Sequence, residues 1–450
     1  MKRQKLAASL SRKETFSILI VGLGLSLLVG LMGWIKPAPI TQLDHWLMDG
    51  LQRASASGQV PANTVVIDID DVSLSAVGQW PWPRYRVASL IQRVAAERPA
   101  AIALDILFAE PDRSSLLNIQ QTFKHDFGLD IAFSGVPGGL MDNDGYLGDE
   151  IARGGVVASN YFYFDHVSNN ESPIAPGLTF AGQTHLLRPH EATGVLVNAE
   201  PIASQTHYTG FVNHRLDRDG VLRRVPLLIS HAGRLHPHLS LAASMRAFGV
   251  TTGSIQAVED GLALRIGERL IPLDHDGSVM LRFNGRPQVY RSLSAVDVLN
   301  GRYIPGDLQG KIVFIGSSAV GLNDHHTTAI AAHFPGLKIH SVISENILAG
   351  HFMSVPTWAA ATGFFICLLA GILVSTMFVV ASGIYPLVAG SVLTCAMLIT
   401  ASAIVFLRSG RFVSVAAPVL LVAALFIAFV LIRFAFEKRR AYLRQRQLEN

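Results

Sequence analysis

The feature that constrains this chain most is a stretch near its C-terminus, residues 357–407, which contains no charged side chain. The stretch is too long for one membrane-spanning helix of about 20 residues, and it fits two. Glycine and proline in SGIYP, residues 382–386, favour a turn between them. Composition agrees, because 16% of all residues are charged against roughly 25% in soluble domains. A large membrane part is therefore predicted.

Two further apolar segments complete this membrane part. Residues 16–35 are uncharged and long enough to span a bilayer, and residues 412–432 form another span after Arg408 and Arg411. The first segment is predicted to be an anchor and not a cleaved signal peptide, because no A-x-A pattern follows it. The prediction is four helices, one N-terminal and three within residues 357–432.

Lysines and arginines at the two chain ends predict the orientation. Residues 1–15 contain five of them and residues 433–450 contain six. Positive charge concentrates on the cytoplasmic side, and four spans bring the chain back to the side on which it began. Both termini are therefore predicted to be cytoplasmic, with membrane lipid as a partner of the basic tail. Residues 36–356 then form an exported domain, which in a bacterium is a periplasmic domain on the inner membrane.

The exported segment has the pattern of an α/β domain. TVVIDID at residues 64–70 and AAIALDILF at residues 100–108 are apolar runs, and residues 86–99 place apolar side chains at helical spacing between them. This order predicts two parallel strands joined by a crossover helix. Residues 311–317, KIVFIGS, predict another buried strand, and residues 338–350 predict a helix that ends at glycine.

Several stretches of this segment carry a family resemblance in combination. They are VVIDIDDVSL at residues 65–74, QWPWPR at 79–84, ALDILFAEPD at 103–112, DRDGVLRRVPL at 217–227 and GKIVFIGSSAVGLNDHHTT at 310–328. With one span before the exported segment and three after it, the chain resembles the CHASE2 family of bacterial extracytoplasmic sensory domains.

The resemblance implies a receptor that passes a signal from an unknown periplasmic ligand through its spans. Its output would be a cytoplasmic nucleotide cyclase, diguanylate cyclase or kinase, and such outputs usually work as homodimers. Residues 433–450 are too few for an output domain and are predicted to start a signalling helix. We expect the output to follow Asn450 in a longer chain or to belong to a partner protein, and we expect no enzymatic activity from residues 1–450.

Three carboxylates are candidate ligand residues. Asp68 and Asp70 follow the first predicted strand and Asp105 lies in the second, so they can converge at the sheet edge where α/β proteins bind ligands. The alternative is structural: Asp70 or Asp71 caps the following turn, and Asp105 hydrogen-bonds a backbone amide.

The run WPWPR adds three more candidates. Trp80 and Trp82 offer stacking faces and Arg84 offers a planar set of donors, so the run can form a ligand platform. Equally, alternating tryptophan and proline can hold a loop against the core just before the predicted helix.

Other function classes find less support. Against an exported enzyme, the chain has neither a G-x-S-x-G elbow nor an H-E-x-x-H pair. Against a transporter, its predicted spans contain no charged residue that would mark a substrate path. Basic residues cluster at the chain ends, which argues against nucleic acid as a partner. Cys367 and Cys395 both lie in the apolar C-terminal region, so no disulfide, thiolate metal site or cofactor is predicted for the exported part.

The histidines of the exported segment allow two interpretations. All sixteen lie within residues 45–351, and a sensor rich in imidazole can respond to pH or to a transition metal. The alternative is that exported loops tolerate scattered histidines. Pro335 interrupts the row His326, His333 and His340, so that helical spacing cannot align it.

Overall fold

The computed structural model describes residues 12–167, 174–175, 177–319, 325–381 and 384–449. The chain divides into two compact units, one formed by Ser55–Met353 and the other by Met1–Ala54 with Ser354–Asn450. The first is an α/β domain and the second is helical, so the predicted combination of an α/β domain with a helical membrane part is confirmed.

The helices of both units are named in chain order. They are α1 (Arg12–Ile35), α2 (Ala38–Ser55), α3 (Asp71–Val77), α4 (Arg84–Ala96), α5 (Leu116–Phe127), α6 (Asn143–Gly154), α7 (Glu200–Ala203), α8 (Leu239–Ala247), α9 (Ala295–Leu299), α10 (Gly336–Ala349), α11 (Ala359–Val380), α12 (Ile384–Ser409) and α13 (Ala416–Glu449). Short 3-10 turns occur at Gly138–Leu140, Thr184–Leu186 and Pro287–Val289.

All described strands belong to the α/β unit. They are β1 (Thr64–Asp68), β2 (Ala101–Leu104), β3 (Val157–Tyr163), β4 (Thr179–Gly182), β5 (Glu191–Ala192), β6 (Gly194–Leu196), β7 (Tyr208–Phe211), β8 (Val221–Leu222), β9 (Arg224–Pro226), β10 (Leu228–His231), β11 (Arg234–Pro237), β12 (Thr252–Val258), β13 (Gly261–Ile266), β14 (Arg269–Leu273), β15 (Ser278–Met280), β16 (Ser292–Ser294), β17 (Ile312–Gly316), β18 (His325–Thr328) and β19 (Phe334–Pro335).

A parallel sheet organises this unit, with strand order β16-β1-β17-β2-β3. The strand β3 also pairs in parallel with β7 and antiparallel with β6. The predicted parallel arrangement of β1 and β2 is confirmed, but β17 lies between them: Val65 pairs with Val313, and Val313 pairs with Ile102. Every residue of β1, β17 and β2 is buried, as expected for strands covered on both faces.

Helices cover both faces of the sheet. On one face the apolar stripe of α4, which includes Val87 and Ile91, packs over Val65 in one buried cluster. On the other face α8 and α10 pack over Val66 and Phe314. Successive strand residues point to opposite faces, so neighbouring valines of β1 enter different cores. Each fully buried aliphatic side chain stabilises the fold by about 1.5–3 kcal/mol.

The predicted elements are present with small shifts at their ends. The second strand stops at Leu104 and not at residue 108, so Asp105 follows β2 instead of lying inside it. The predicted glycine stop of α10 is confirmed, because Gly350 adopts the left-handed conformation with φ 68°. The remaining strands of the middle segment form small separate sheets, the largest of them β14-β13-β12-β4.

The helical unit contains four helices long and apolar enough to cross a membrane, within the described residues. They are Glu14–Ile35, Ala359–Val380, Ile384–Ser409 and Ala416–Gln447. One is N-terminal and three are C-terminal, as predicted. The turn predicted at residues 382–386 falls partly on residues 382 and 383, which lie outside the described residues.

Helices α1 and α11 approach each other at small side chains. An added Cβ at Gly22 would collide with the hydroxyl of Ser375, and one at Gly371 would collide with that of Ser26. These pairings run in opposite chain directions, so the two helices are antiparallel. Glycine and serine spaced four apart let two membrane helices pack closely.

Buried polar contacts join other parts of the helical unit. Asp44 of α2 is buried and hydrogen-bonded to the hydroxyl of Ser414. Glu14 of α1 is 4% exposed and forms an ion pair with Arg440 of α13. The basic C-terminal part of α13 is therefore tied to the first turn of α1.

Candidate functional site

A cleft of about 460 Å³ opens at the carboxyl ends of the parallel strands. Asp105 and Ser317 follow the adjacent strands β2 and β17 and contribute to its lining, together with Trp80, Arg84 and Glu110. Open α/β sheets hold their ligands at this edge. The structure thus brings three of the six predicted ligand residues together, namely Trp80, Arg84 and Asp105.

The two tryptophans of WPWPR have different roles. Trp82 is 1% exposed, and its indole Nε1–H donates to the carbonyl of Gly78 at 2.8 Å. Trp80 is half-buried and lines the cleft, with its ring centroid 6.4 Å from that of Phe108. The Trp80–Pro81 peptide bond is cis. Trp82 therefore holds the loop against the core, while Trp80 is the tryptophan available to a ligand.

Arg84, the first residue of α4, is held by protein groups. Its Nη2 donates to the carbonyl of Glu110 at 3.0 Å, and its Nε lies 3.4 Å from a carboxylate oxygen of Asp144. The guanidinium carbon lies 4.3 Å from the ring centroid of Phe108. Burial raises the pKa of Asp144, although a hydrogen bond from the Asp112 N–H and the charge of Arg84 oppose the rise. Arg84 therefore builds one wall of the cleft.

Asp68 and Asp70 have structural partners beside the cleft. Asp70 caps α3 by accepting from the Ser73 N–H, and it accepts from the hydroxyl of Ser294, both at 2.8 Å. The capping alternative is thus confirmed for Asp70. Asp68 accepts from the N–H and the hydroxyl of Ser318 at 2.8 and 2.5 Å, and burial raises the pKa of its carboxyl. Asp68 thereby fixes the backbone that follows β17.

Asp105 faces the interior of the domain with one side of its carboxylate. Its backbone N–H donates to the carbonyl of Ile315 at 2.7 Å. Its Oδ2 lies 3.3 Å from Nε2 of His340, and its side chain is 16% exposed. The carboxylate thus contacts an imidazole, whereas the structural alternative for Asp105 was a hydrogen bond to a backbone amide. It is the point at which the cleft meets a group of buried histidines.

That group is His214, His238, His326 and His340, called here the histidine cluster. His238 and His340 are fully buried, with ring centroids 5.3 Å apart. His214 lies 5.7 Å from His238 and 5.8 Å from His340, and His326 lies 4.8 Å from His214. These four histidines are therefore gathered and not scattered, although His333 of the predicted row is exposed.

The nitrogens of the two buried rings are oriented by one serine. Nδ1 of His340 shares a hydrogen bond with the hydroxyl of Ser240 at 2.9 Å, and Nδ1 of His238 accepts from the Ser240 N–H at 3.2 Å. Burial, with His340 and His214 nearby, holds the pKa of His238 well below its ordinary value. Both Nδ1 atoms therefore face Ser240, which orients the two rings.

Sequence reasoning did not bring these histidines together, although one signal was available. His340 lies in the predicted helix at helical spacing from Leu337, Ile343 and Ile347, all of them buried. A histidine on such an apolar face is predicted to point into the core. Its partner Asp105 is more than two hundred positions away in the sequence, and no local pattern connects the two.

Asp105, His340 and Ser240 have the order of a carboxylate, an imidazole and a hydroxyl. In serine hydrolases that order activates a nucleophile that substrate can reach. Ser240 is fully buried and lines neither this cleft nor a second one of about 440 Å³ beside His214. The arrangement therefore positions side chains and offers no accessible nucleophile.

One comparison with known proteins covers most of the chain. The family model described as the CHASE2 domain matches residues 21–377. The match includes the parallel sheet, both clefts and the histidine cluster. Comparisons with curated proteins and with solved structures give no match.

Proposed function

The chain belongs to the CHASE2 domain family, and we propose that it is the sensory and membrane-spanning part of a bacterial receptor. CHASE2 domains are extracellular sensor domains and are not themselves catalytic. The observation that carries the proposal is the sequence order of the two units. The α/β unit Ser55–Met353 is inserted between α1 and α11, so that apolar helices both precede and follow it.

The cleft at the carboxyl edge of the sheet is the proposed ligand site. Its tryptophan face and its carboxylate, Trp80 and Asp105, offer a stacking surface beside a polar anchor. Trp82, Asp70 and Asp68 support the loops around it and do not line it.

The membrane arrangement follows from charge. Basic residues before α1 and in the last part of α13 favour a cytoplasmic position for both ends of the chain. The sensor then lies in the periplasm and the helical unit in the inner membrane. Ligand binding shifts the equilibrium between two arrangements of the receptor, because the ligand binds one of them more tightly.

The output is a cyclase, a diguanylate cyclase or a kinase that works as a homodimer. It is either joined to α13 or carried by a separate partner protein. The competing proposal of an exported hydrolase is weakened by the burial of Ser240.

Replacing residues 55–353 by a flexible linker tests the proposal. We expect the output activity measured in membranes to change severalfold and to lose its response to periplasmic conditions. The matched control is Asp130→Asn, an exposed carboxylate that does not line the cleft, which should leave the output unaltered. Output and regulation that survive the replacement would show that the chain is not a receptor.

A further inference from the structure

We propose that the cleft lined by Trp80, Asp105 and Glu110 binds a small organic cation with an apolar or aromatic body. This inference rests on the proposed function and deepens it, because it names the class of molecule that the sensor recognises. Three properties of the cleft support it: the balance of its charges, the positioning of Asp105 and the apolar surface beside that carboxylate.

The carboxylates of the lining are Asp105 and Glu110. The side chain of Asp105 is 16% exposed in the floor of the cleft. That of Glu110 is 80% exposed and forms an ion pair at 3.7 Å with Arg113, which is 93% exposed and does not line the cleft, so Asp105 is the main anionic anchor. Arg84, the cation of the lining, is buried and engaged by the carbonyl of Glu110 and by Asp144. A carboxylate in a partly desolvated floor attracts a cation more strongly than one in bulk water.

Lys338, another cation near this edge of the sheet, does not neutralise the acidic charge of the cleft. Its Nζ donates to the carbonyl of Pro287 at 3.1 Å, and Asp68 is the carboxylate with which it interacts. Neither Lys338 nor Asp68 lines the cleft.

Asp105 is held in place from behind. Its Oδ2 faces Nε2 of His340 at 3.3 Å, and His340 is fully buried and stacked on Phe314 with 5.4 Å between ring centroids. Ser240 fixes the other nitrogen of that imidazole at 2.9 Å. The exposed part of the Asp105 side chain, 16%, remains open to the cleft. An anchor positioned before binding loses little entropy when the ligand arrives.

The apolar side chains of the lining suit an apolar body. Trp80 presents a half-buried indole, with Pro81 and Leu107 beside it in the lining. Ammonium groups bind favourably over tryptophan faces. The volume of about 460 Å³ lies within the range typical of pockets for small organic molecules. A cation at Asp105, with an apolar body against Trp80 and the other apolar side chains of the lining, fits these features.

Binding of chosen probes to the full chain in detergent tests the inference. The probes are choline, benzyltrimethylammonium, 3,3-dimethylbutan-1-ol as the neutral isostere of choline, and phenylacetate as an anion. Quenching of tryptophan fluorescence reports binding. We expect each cation to bind at least about tenfold more tightly than the neutral or anionic probe, and Asp105→Asn to weaken cation binding by at least the same factor.

Asp130→Asn serves as the control, because this exposed carboxylate does not line the cleft. Equal binding of choline and its isostere, tighter binding of phenylacetate, or no cation binding at millimolar concentration overturns the inference. Cation binding that persists in Asp105→Asn also overturns it. If that variant fails to fold, the comparison of choline with its isostere on the unaltered chain decides.

The binding experiment and the test of the receptor function can fail independently, because binding is measured without any output domain. Absence of cation binding, in a receptor whose output still depends on residues 55–353, rejects only the ligand class. Cation binding by a chain whose output ignores those residues rejects only the receptor.

Discussion

At the scale of single residues, the acidic groups near the cleft are distinguished by the partners they have. Asp112 is 5% exposed, and it accepts from the Arg84 N–H, from Ser114 and from Asn143. Burial raises the pKa of Asp112, but these hydrogen bonds outweigh it and hold the pKa below its ordinary value. Asp112 is therefore a charged anchor for the start of α4.

Replacing Asp112 by asparagine should destabilise the domain by about 1–3 kcal/mol at neutral pH, because an amide nitrogen then faces donors. The folded-state pKa lies below the unfolded value of about 3.9. The stabilisation by the carboxylate is therefore fully present above that value and is lost as the pH falls through the folded pKa. Thermal unfolding of the full chain, followed by tryptophan fluorescence at several pH values, measures the difference.

Asp130→Asn is the matched control and should change stability by less than about 0.5 kcal/mol at any pH, because its side chain is 85% exposed. A difference between Asp112→Asn and the unaltered chain that stays constant down to pH 3 would contradict the argument.

The position of one candidate ligand residue could be predicted from the sequence, but the different roles of the two tryptophans could not. The rule that ligands bind at the carboxyl ends of strands predicted the position of Asp105, because it depends only on strand order. The rule could not separate Trp80 from Trp82, since both belong to one motif. Their roles differ because the carbonyl of Gly78 meets only the indole of Trp82.

At the scale of elements, local pattern predicted β1, α4, β2, β17 and α10, because each has a clear apolar period. It could not predict that β17 lies between β1 and β2. That placement joins residues about two hundred positions apart. The helix α2 was also missed, because it belongs to the helical unit without being apolar enough to span.

The close packing of α1 on α11 can be tested by adding a methyl group at one of its glycines. Gly371→Ala should destabilise the helical unit by about 1–3 kcal/mol, because the new methyl group overlaps the hydroxyl of Ser26. Gly24→Ala is the control, since an added Cβ at Gly24 meets nothing within 4 Å. Thermal unfolding in detergent compares the two. A loss of stability of the same size in both variants would show that the contact is not specific.

At the scale of the whole molecule, the proposed topology places the two units in different compartments. Asp130→Cys introduces a thiol at an exposed position of the α/β unit, and Gln447→Cys introduces one at an exposed position of α13. Of the native thiols, Cys367 is buried and Cys395 is half-buried. In intact cells, a membrane-impermeant maleimide should label the thiol at position 130 and reach that at position 447 only after permeabilisation.

The unaltered chain is the control for this labelling, because it reports any reaction of the native thiols. Labelling of position 447 in intact cells, with position 130 protected, would reverse the proposed orientation and place the sensor inside the cell.

The last helix, α13, is longer than a bilayer is thick. Ala416–Glu449 is one uninterrupted helix of 34 residues, about 50 Å long, whereas the hydrocarbon core of a bilayer is about 30 Å thick. Leu425 and Phe429 are fully buried in the helical unit, and Arg439 is exposed further along. Each residue advances the helix by about 100°. The packing of Leu425 in the helical unit therefore fixes the direction in which the Arg439 side chain points. A rotation of α13 about its axis at Leu425 rotates the Arg439 side chain by the same angle.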